Sequence, residues 1–353
     1  MRNLRRAQGE VILAALLFAL GVPIGKTLLV GIPPVALSGG IYLSAGIALA
    51  IALLLAPRGA HERPRGADWA WLAAVVAAGG VLAPLALFAG LSRVPAHVAG
   101  MLLNFEALFT IAFGALFLGE RLGRVGWLGA LTILAGAALL SLSSAGAARG
   151  PVSGAGVLLV IAACALWGLD NNLMQRISLR DARVTAAVKG LAGGAALLSM
   201  AAALGDLRGF TPARIAGVAT SGAIAYGLSL VLFIHGLRAL GVLQTGTLFA
   251  LAPGFAAVLS FALLGERPGP PGLAALFVMT GGALLLSRDR HEHFHVHEAI
   301  EHAHPHAHDA HHQHAHPPGE MAASPHAHPH RHAPLAHGHP HVHDAHHGHR
   351  HGA

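Results

Sequence analysis

Ionisable residues interrupt four long apolar runs of this sequence, at Lys26, Glu106, Asp170 and Lys189. A charged group at membrane depth costs several kcal/mol unless it is paired or faces water, so each is a candidate functional residue. Glu106 lies about eleven residues from either end of its run, which corresponds to the bilayer centre at about 1.5 Å per helical residue. A carboxyl group at that depth could take up and release a proton. The alternative is an acid that stays protonated or is hydrogen-bonded by Asn104 or a neighbouring hydroxyl.

The other three residues lie nearer the ends of their runs. Asp170 and Lys189 are both roughly 8 Å deep on the same side of adjacent spans, so they could form an ion pair or serve as a gate or substrate contact. Lys26 lies in the outer third of its run, from which it could extend outward to the surface or reach toward Glu106. A lysine that faces a cavity would favour an anionic solute.

The densest polar patch inside an apolar run follows Trp167 and consists of Asp170, Asn171 and Asn172. Amides both donate and accept hydrogen bonds, so they suit a zwitterionic or polyhydroxylated solute, and they also join neighbouring helices. Further polar candidates of the same kind are Tyr226 and Gln244.

The C-terminal segment carries 24 of the 27 histidines, all after Arg290. Its many prolines and its lack of bulky apolar residues predict a disordered tail, because such a segment buries too little surface to offset its ordering entropy. Neutral imidazoles bind zinc, nickel, cobalt and copper, so the tail is a candidate metal-binding segment. Alternate positions near its start are occupied by His291, His293, His295, His297, His302, His304, His306 and His308.

Three interpretations of the tail remain open at this stage. It could be a cytoplasmic metal buffer or sensor attached to another function, it could collect metal ions that the protein moves, or it could be an inert extension. Residues 1 to 287 contain only three histidines and the single Cys164, with no cluster near the middle of a span.

The composition indicates a membrane protein. The chain is 54% hydrophobic and only 11% charged, whereas soluble domains carry about 25% charged residues. Its positive net charge lies beside apolar runs rather than on a polar face, so it does not indicate a nucleic-acid partner. Ten runs are long enough to cross a bilayer as helices, the only option for segments of this length in lipid. They span residues 11–30, 34–56, 69–91, 95–118, 125–144, 152–175, 184–204, 214–236, 242–264 and 271–287.

The loop charges predict an orientation. With the N-terminus inside, fourteen Lys or Arg residues fall in inner loops and five in outer loops. This bias predicts a multi-pass protein of the cell (inner) membrane with both termini in the cytoplasm.

An internal repeat appears at an offset of 146 residues, where 91–141 aligns with 237–287 with fifteen identities in 51 positions. The most informative identity is a polar triplet between two spans, which consists of Gly119, Glu120 and Arg121 in one copy and of Gly265, Glu266 and Arg267 in the other. A repeat of five spans is odd in number, so the second copy must enter the membrane inverted. This pattern is typical of secondary transporters.

These segments resemble the drug/metabolite transporter superfamily and, within it, the EamA-type ten-helix permeases. The resemblance rests on 104–121, its second copy 251–267 and the segment 127–129, and it extends over residues 8 to 287. It implies ten helices in two inverted repeats, a central cavity, and gradient-driven export or exchange of small organic molecules. The family pattern Glu-Pro reads Glu106-Ala107 in the fourth span, and in the ninth span Pro253 is kept while Ala252 replaces the acid.

The sequence therefore predicts an all-α membrane protein with repeats at 8–144 and 152–287 and a disordered tail at 288–353. We expect a transporter rather than an enzyme, with the lipid bilayer, a small-molecule substrate, and possible proton and divalent metal partners. The alternatives are a permease for nickel, cobalt or zinc efflux, and a metal-responsive sensor that moves nothing. No pattern indicates an oligomeric state.

Overall fold

A computed structural model describes residues 2–55, 64, 66–118, 123–144, 152–175, 182–266, 269–286, 292–297, 301–306, 326–331 and 335–340. Up to residue 286 the described elements are all helical. Two of them are π-helical segments, Val76–Leu82 and Ser221–Leu228. The α-helices are α1 (Arg2–Leu28), α2 (Pro34–Leu55), α3 (Asp68–Val75), α4 (Ala83–Leu91), α5 (Ala96–Leu102), α6 (Phe105–Leu118), α7 (Arg124–Ser144), α8 (Gly154–Gln175), α9 (Ala182–Ala203), α10 (Pro212–Thr220), α11 (Ser229–Phe249), α12 (Ala252–Leu264) and α13 (Pro270–Leu286).

The prediction of an all-α membrane protein is confirmed. Seven helical stretches in the described part of the chain are long and apolar enough to cross a membrane, and three further apolar helices are shorter. Large apolar side chains such as Leu54, Leu116 and Phe277 are exposed on their outer faces. In lipid this exposure carries no hydrophobic cost, because the hydrocarbon takes the place of the protein interior.

The two π-helical segments occupy equivalent places in the chain. Val76–Leu82 joins α3 to α4, and Ser221–Leu228 joins α10 to α11. The offset of 146 residues carries the first onto 222–228, which almost coincides with the second. A π-helical turn leaves the regular hydrogen-bond ladder of an α-helix and often marks a functional site.

Two helix breaks also match at this offset to within one residue. A turn at Leu103–Asn104 separates α5 from α6, and a turn at Ala250–Leu251 separates α11 from α12. Pro253 lies in the first turn of α12, where its missing N–H has no helical partner to lose. The predicted span 95–118 agrees with the apolar stretch Ala96–Phe117, which contains the turn at Leu103–Asn104. The predicted loop at 237–241 is wrong, because it lies within α11. Residues such as Leu240 in that loop are good helix formers, and the charge at Arg238 does not interrupt the helix.

The helix contacts between the two halves come in equivalent pairs. The offset of 146 residues carries the helices of one contact onto the helices of the other. Helix α1 packs on α11 and α12, while its counterpart α8 packs on α4 and α6. Helix α2 packs on the second π segment and α9 packs on the first. The pairs α2–α9 and α7–α13 join each helix to its own counterpart.

Glycines bring α2 and α9 into backbone contact. A Cβ atom placed on Gly46 would lie 2.5 Å from the backbone nitrogen of Leu191, and one on Gly190 would lie 2.8 Å from Cα of Gly46. These distances are shorter than real Cβ contacts, so the crossing requires the absence of a side chain at both positions.

In the C-terminal tail the structure has four short strands, β1 (Glu292–His297), β2 (Glu301–His306), β3 (His326–Arg331) and β4 (Leu335–Pro340). β1 pairs with β4 and β2 pairs with β3, both antiparallel. Alternating histidines are compatible with extended backbone as well as with disorder. Isolated two-stranded ladders are only marginally stable in water.

Candidate functional site

A polar cluster lies where α6, α8 and α9 meet the first π segment. Glu106 is the second residue of α6, directly after the break at Leu103–Asn104. The Asn171 side-chain amide donates to Glu106 Oε1 at 3.2 Å and to Thr110 Oγ1 at 3.1 Å. Glu106 is half-buried and Asn171 is exposed.

Asp170 and Lys189 form the ion pair that the sequence offered as one alternative. Lys189 Nζ donates to Asp170 Oδ2 at 2.6 Å, and Asp170 is only 2% exposed. The pair packs against adjacent glycines of the first π segment. A Cβ atom on Gly79 would collide with the Asp170 carboxylate, and one on Gly80 would lie 3.0 Å from Lys189 Cγ.

Trp167 belongs to the same cluster. Its indole N–H donates to the Gly79 carbonyl at 3.3 Å. A π-helical turn changes which backbone groups find partners within the helix, and here a side chain from α8 supplies one. Trp167 and Asp170 thus hold the first π segment from the same helix.

Several buried oxygens of the cluster have no hydrogen-bond partner among the residues that the structure describes. They include Asn104 Oδ1, Asp170 Oδ1 and Asn172 Oδ1. The amide groups of the two asparagines do have partners, since Asn104 donates to the Met101 carbonyl and Asn172 donates to the carbonyls of Gly168 and Thr110. The unmatched atoms are all acceptors, so the cluster has spare capacity for a hydrogen-bond donor.

Aromatic rings continue from this cluster toward the second half of the chain. The ring centroids of Tyr42 and Tyr226 are 6.0 Å apart, and Phe18 lies 5.7 Å from Tyr226 and 5.6 Å from Phe249. Tyr226 belongs to the second π segment, at the position equivalent to Gly80 in the first. The two π segments therefore meet different surroundings, one polar and one aromatic.

The remaining predicted site residues are not in the polar cluster. Lys26 Nζ donates to the carbonyls of Leu91 at 2.6 Å and Val94 at 2.7 Å, at the C-terminal end of α4. This position suits a cation, because the C-terminal end of a helix carries partial negative charge. Gln244 lies in α11, but its side chain is outside the described part. The triplet Gly119, Glu120 and Arg121, together with Arg267, also lies outside the described residues.

Glu266 caps α5, a role that the sequence did not indicate. Its carboxylate accepts from the backbone N–H groups of Ala96 and His97, both at 2.8 Å, and His97 Nδ1 lies 2.5 Å from Oε2. Gly265 turns the chain toward α5 with a left-handed φ of 62°. Partial burial raises the pKa of Glu266, but the hydrogen bonds from His97 and Ala96 outweigh it and lower that pKa overall. The cap therefore stabilises the fold above the ordinary carboxyl pKa and is lost as pH falls through the lowered value.

Tail histidines fall in two groups. His293, His295 and His297 lie in β1, and His302, His304 and His306 lie in β2, while His291 and His308 are outside the described residues. The part of the chain that the structure describes contains no group of three or more His, Cys, Asp or Glu side chains arranged to hold a metal ion.

The family model of the EamA-like transporter family matches this chain twice, over residues 10–142 and 154–288. The chain belongs to the EamA-like transporter family, and it is an integral membrane transporter of that family.

Two relatives carry related descriptions. An uncharacterized transporter of Methanothermobacter thermautotrophicus is 29% identical over 299 residues, covering 80% of this chain and 87% of the relative. A probable terminal-alkyne amino-acid exporter of Streptantibioticus cattleyicolor is 28% identical over 290 residues, covering 81% and 95%. A crystal structure with 22% identity matches with a TM-score of 0.59 over 80% of this chain and 97% of the solved one, which shows a shared fold.

Proposed function

We propose that this protein exports or exchanges a small amphiphilic solute that carries an amino group, by alternating access coupled to protons at Glu106. The observation that carries the proposal is the Glu106 carboxylate, which lies directly after a helix break and is hydrogen-bonded by Asn171. In this proposal the protein moves the solute across the membrane and makes or breaks no covalent bond.

The chemistry of the two walls supports the amino group and the apolar part of the solute. Glu106, together with the unpartnered acceptor oxygens of the polar cluster, suits a cationic donor such as an ammonium group. The aromatic rings of Phe18, Tyr226 and Phe249 suit an apolar chain on the other side. The similarity to a probable terminal-alkyne amino-acid exporter agrees with a solute of this class.

Proton coupling follows from the position of Glu106. A carboxylate that has a single amide donor can bind an ammonium group when it is ionised. When it is protonated it has lost that attraction and releases the solute. If the two states face opposite sides of the membrane, one proton enters for each solute that leaves.

Alternating access is supported by the matched irregularities of the two halves. Both halves have a π-helical segment and a helix break at the same offset. In inverted-repeat transporters such broken helices line the substrate site, and the two halves exchange conformations. We propose that the repeats 8–144 and 152–287 act in this way, with both termini in the cytoplasm.

Reconstituted protein tests the proposal through a Glu106→Gln variant. We expect it to lose accumulation of a labelled apolar amino acid that a pH gradient drives, because glutamine cannot ionise. Exchange of labelled for unlabelled solute without a pH gradient should also weaken, because glutamine resembles the protonated carboxyl, which lacks the negative charge that attracts the ammonium group. The measurement is vesicle uptake with and without the gradient, with Glu10→Gln near the N-terminus as the matched control. Full gradient-driven accumulation in Glu106→Gln would refute the coupling role.

For the tail we propose accessory binding of zinc, nickel, cobalt or copper on the cytoplasmic side, based on its density of imidazoles. Deletion of residues 288–353 is expected to remove most of the zinc bound per chain in a titration of the purified protein, and to leave amino-acid uptake unchanged. Equal zinc binding by the full and truncated chains would exclude the tail as the binding segment.

The same density of imidazoles also favours a second candidate function, which is efflux of a divalent metal ion by the protein. A related candidate is a metal-responsive sensor that binds the ion and does not transport it. Vesicle flux distinguishes these proposals from amino-acid export. Zinc, nickel or cobalt movement that stops when residues 288–353 are deleted would support metal efflux. Metal binding without flux of metal or amino acid would support a sensor.

A further inference from the structure

Helix α5 is a short piece of the first half that residues of the second half hold. Its N-terminal amides are capped by Glu266, which follows α12. Its middle lies against α12, where a Cβ atom on Gly100 would be 2.9 Å from the backbone nitrogen of Ala257. The His97 ring also lies 5.2 Å from the ring of Phe261 on α12.

Helix α6, on the far side of the break at Leu103–Asn104, is held by α8 instead. The backbone around Gly168 packs directly on Phe109 and Thr110, since a Cβ atom on Gly168 would be 2.8 Å from the Thr110 nitrogen. Asn172 donates to the Thr110 carbonyl at 2.9 Å. The break therefore divides two helices with different partners, and Glu106 is the second residue beyond it.

We propose that Glu266 is a positioning residue for the transport site. By fixing the outer end of α5 on the α12–α13 loop, it sets the position of the break and, through the break, the position of the Glu106 carboxylate. The effect on transport rests on the proposed function, whereas the effect on α5 does not.

The charges around Glu266 agree with this role. We call the contact of Glu266 with the start of α5 the latch. His97 belongs to α5 itself, and Lys26 on α1 lies near enough to interact electrostatically with Glu266 while it caps the end of α4. The turn between α4 and α5 is thus held at its start by a cation from the first half and at its end by an anion from the second. Each charge has the sign that its helix end favours.

The single cysteine of the chain can report the position of α5. Cys164 is the only cysteine, it is fully buried, and its thiol donates to the carbonyl of Leu102, the last residue of α5, at 3.4 Å. Movement of α5 away from α8 would expose this thiol. The labelling rate with a water-soluble maleimide therefore measures how often the inner end of α5 opens.

We expect Glu266→Ala to label about tenfold faster than the native chain, which corresponds to about 1.4 kcal/mol of easier opening. Glu266→Gln should label at an intermediate rate, because its side-chain oxygen can still accept from Ala96 or His97. Glu10→Ala, a change far from α5 in sequence, is the matched control and should label at the native rate. Cys164→Ser should not label.

Transport supplies the second readout. If α5 positions Glu106, Glu266→Ala should raise the KM for the labelled amino acid more than it lowers the maximal rate, with partial recovery in Glu266→Gln. Native labelling rates in folded Glu266→Ala or Glu266→Gln would overturn the proposal, even if the melting temperature falls. Should Glu266→Ala not fold, the intermediate rate in Glu266→Gln decides. Faster labelling in a protein that moves no amino acid would support the latch and refute the proposed function.

Discussion

Lys189→Met is expected to destabilise the protein by about 3–5 kcal/mol, the range for removal of one partner of a buried ion pair. The cost arises at Asp170, which is 2% exposed and whose Oδ1 atom already lacks a partner. Without Lys189 the carboxylate must remain charged without compensation or take up a proton inside the bundle. The measurement is thermal unfolding of the purified protein in detergent, followed through its tryptophan fluorescence.

The paired variant separates the ion pair from packing effects. Asp170→Asn together with Lys189→Met removes both charges, so we expect it to be more stable than Lys189→Met alone. The exposed pair Arg6–Glu10 is the control, because its removal should change stability by less than about 0.5 kcal/mol. A double variant no more stable than Lys189→Met would show that the charge pair is not the source of the loss.

Much of the fold could be predicted from the sequence because lipid imposes a simple rule. Backbone groups in hydrocarbon must be satisfied within the segment, so long apolar runs become helices. The interruptions were harder to predict. The break at Leu103–Asn104 lies inside a continuous apolar run, and the two π segments contain no residue that distinguishes them from α-helix. Arg238, by contrast, suggested a loop, because a charge usually marks the end of a membrane span. The structure has a continuous helix there, since an arginine is compatible with helical backbone.

Part of the candidate site could also be predicted, because lipid makes charged residues inside apolar runs rare. Glu106, Asp170 and Lys189 stand out because charges inside apolar runs are rare, and their spacing allowed the Asp170–Lys189 pair. Glu266 was noticed only as part of a repeated triplet, because its partner is the backbone of α5, which is 169 residues away in sequence. Contacts from a side chain to a distant backbone leave no signal in one sequence. The carbonyl partners of Lys26 could not be foreseen for the same reason.

The crossing of α2 and α9 gives the second large expected effect. Gly46→Ala should destabilise the protein by about 1–3 kcal/mol, the range for overpacking, because its methyl group would meet the backbone of α9 rather than a movable side chain. Gly281→Ala in α13 is the matched control, since no atom lies within 4 Å of its Cβ position. There the change should be neutral or stabilising by up to about 1 kcal/mol, because alanine favours helix more than glycine does.

Thermal unfolding of both variants and of Gly190→Ala tests this expectation in one series. Gly46 and Gly190 face each other across the crossing, so their double variant should lose less stability than the sum of the single losses, because separating the helices once accommodates both methyl groups. The separation would also move α2 and α9 against the π segments on which they pack. If Gly46→Ala were as stable as Gly281→Ala, the crossing would tolerate a side chain. The helices α2 and α9 would then be free to separate where the structure has them in contact.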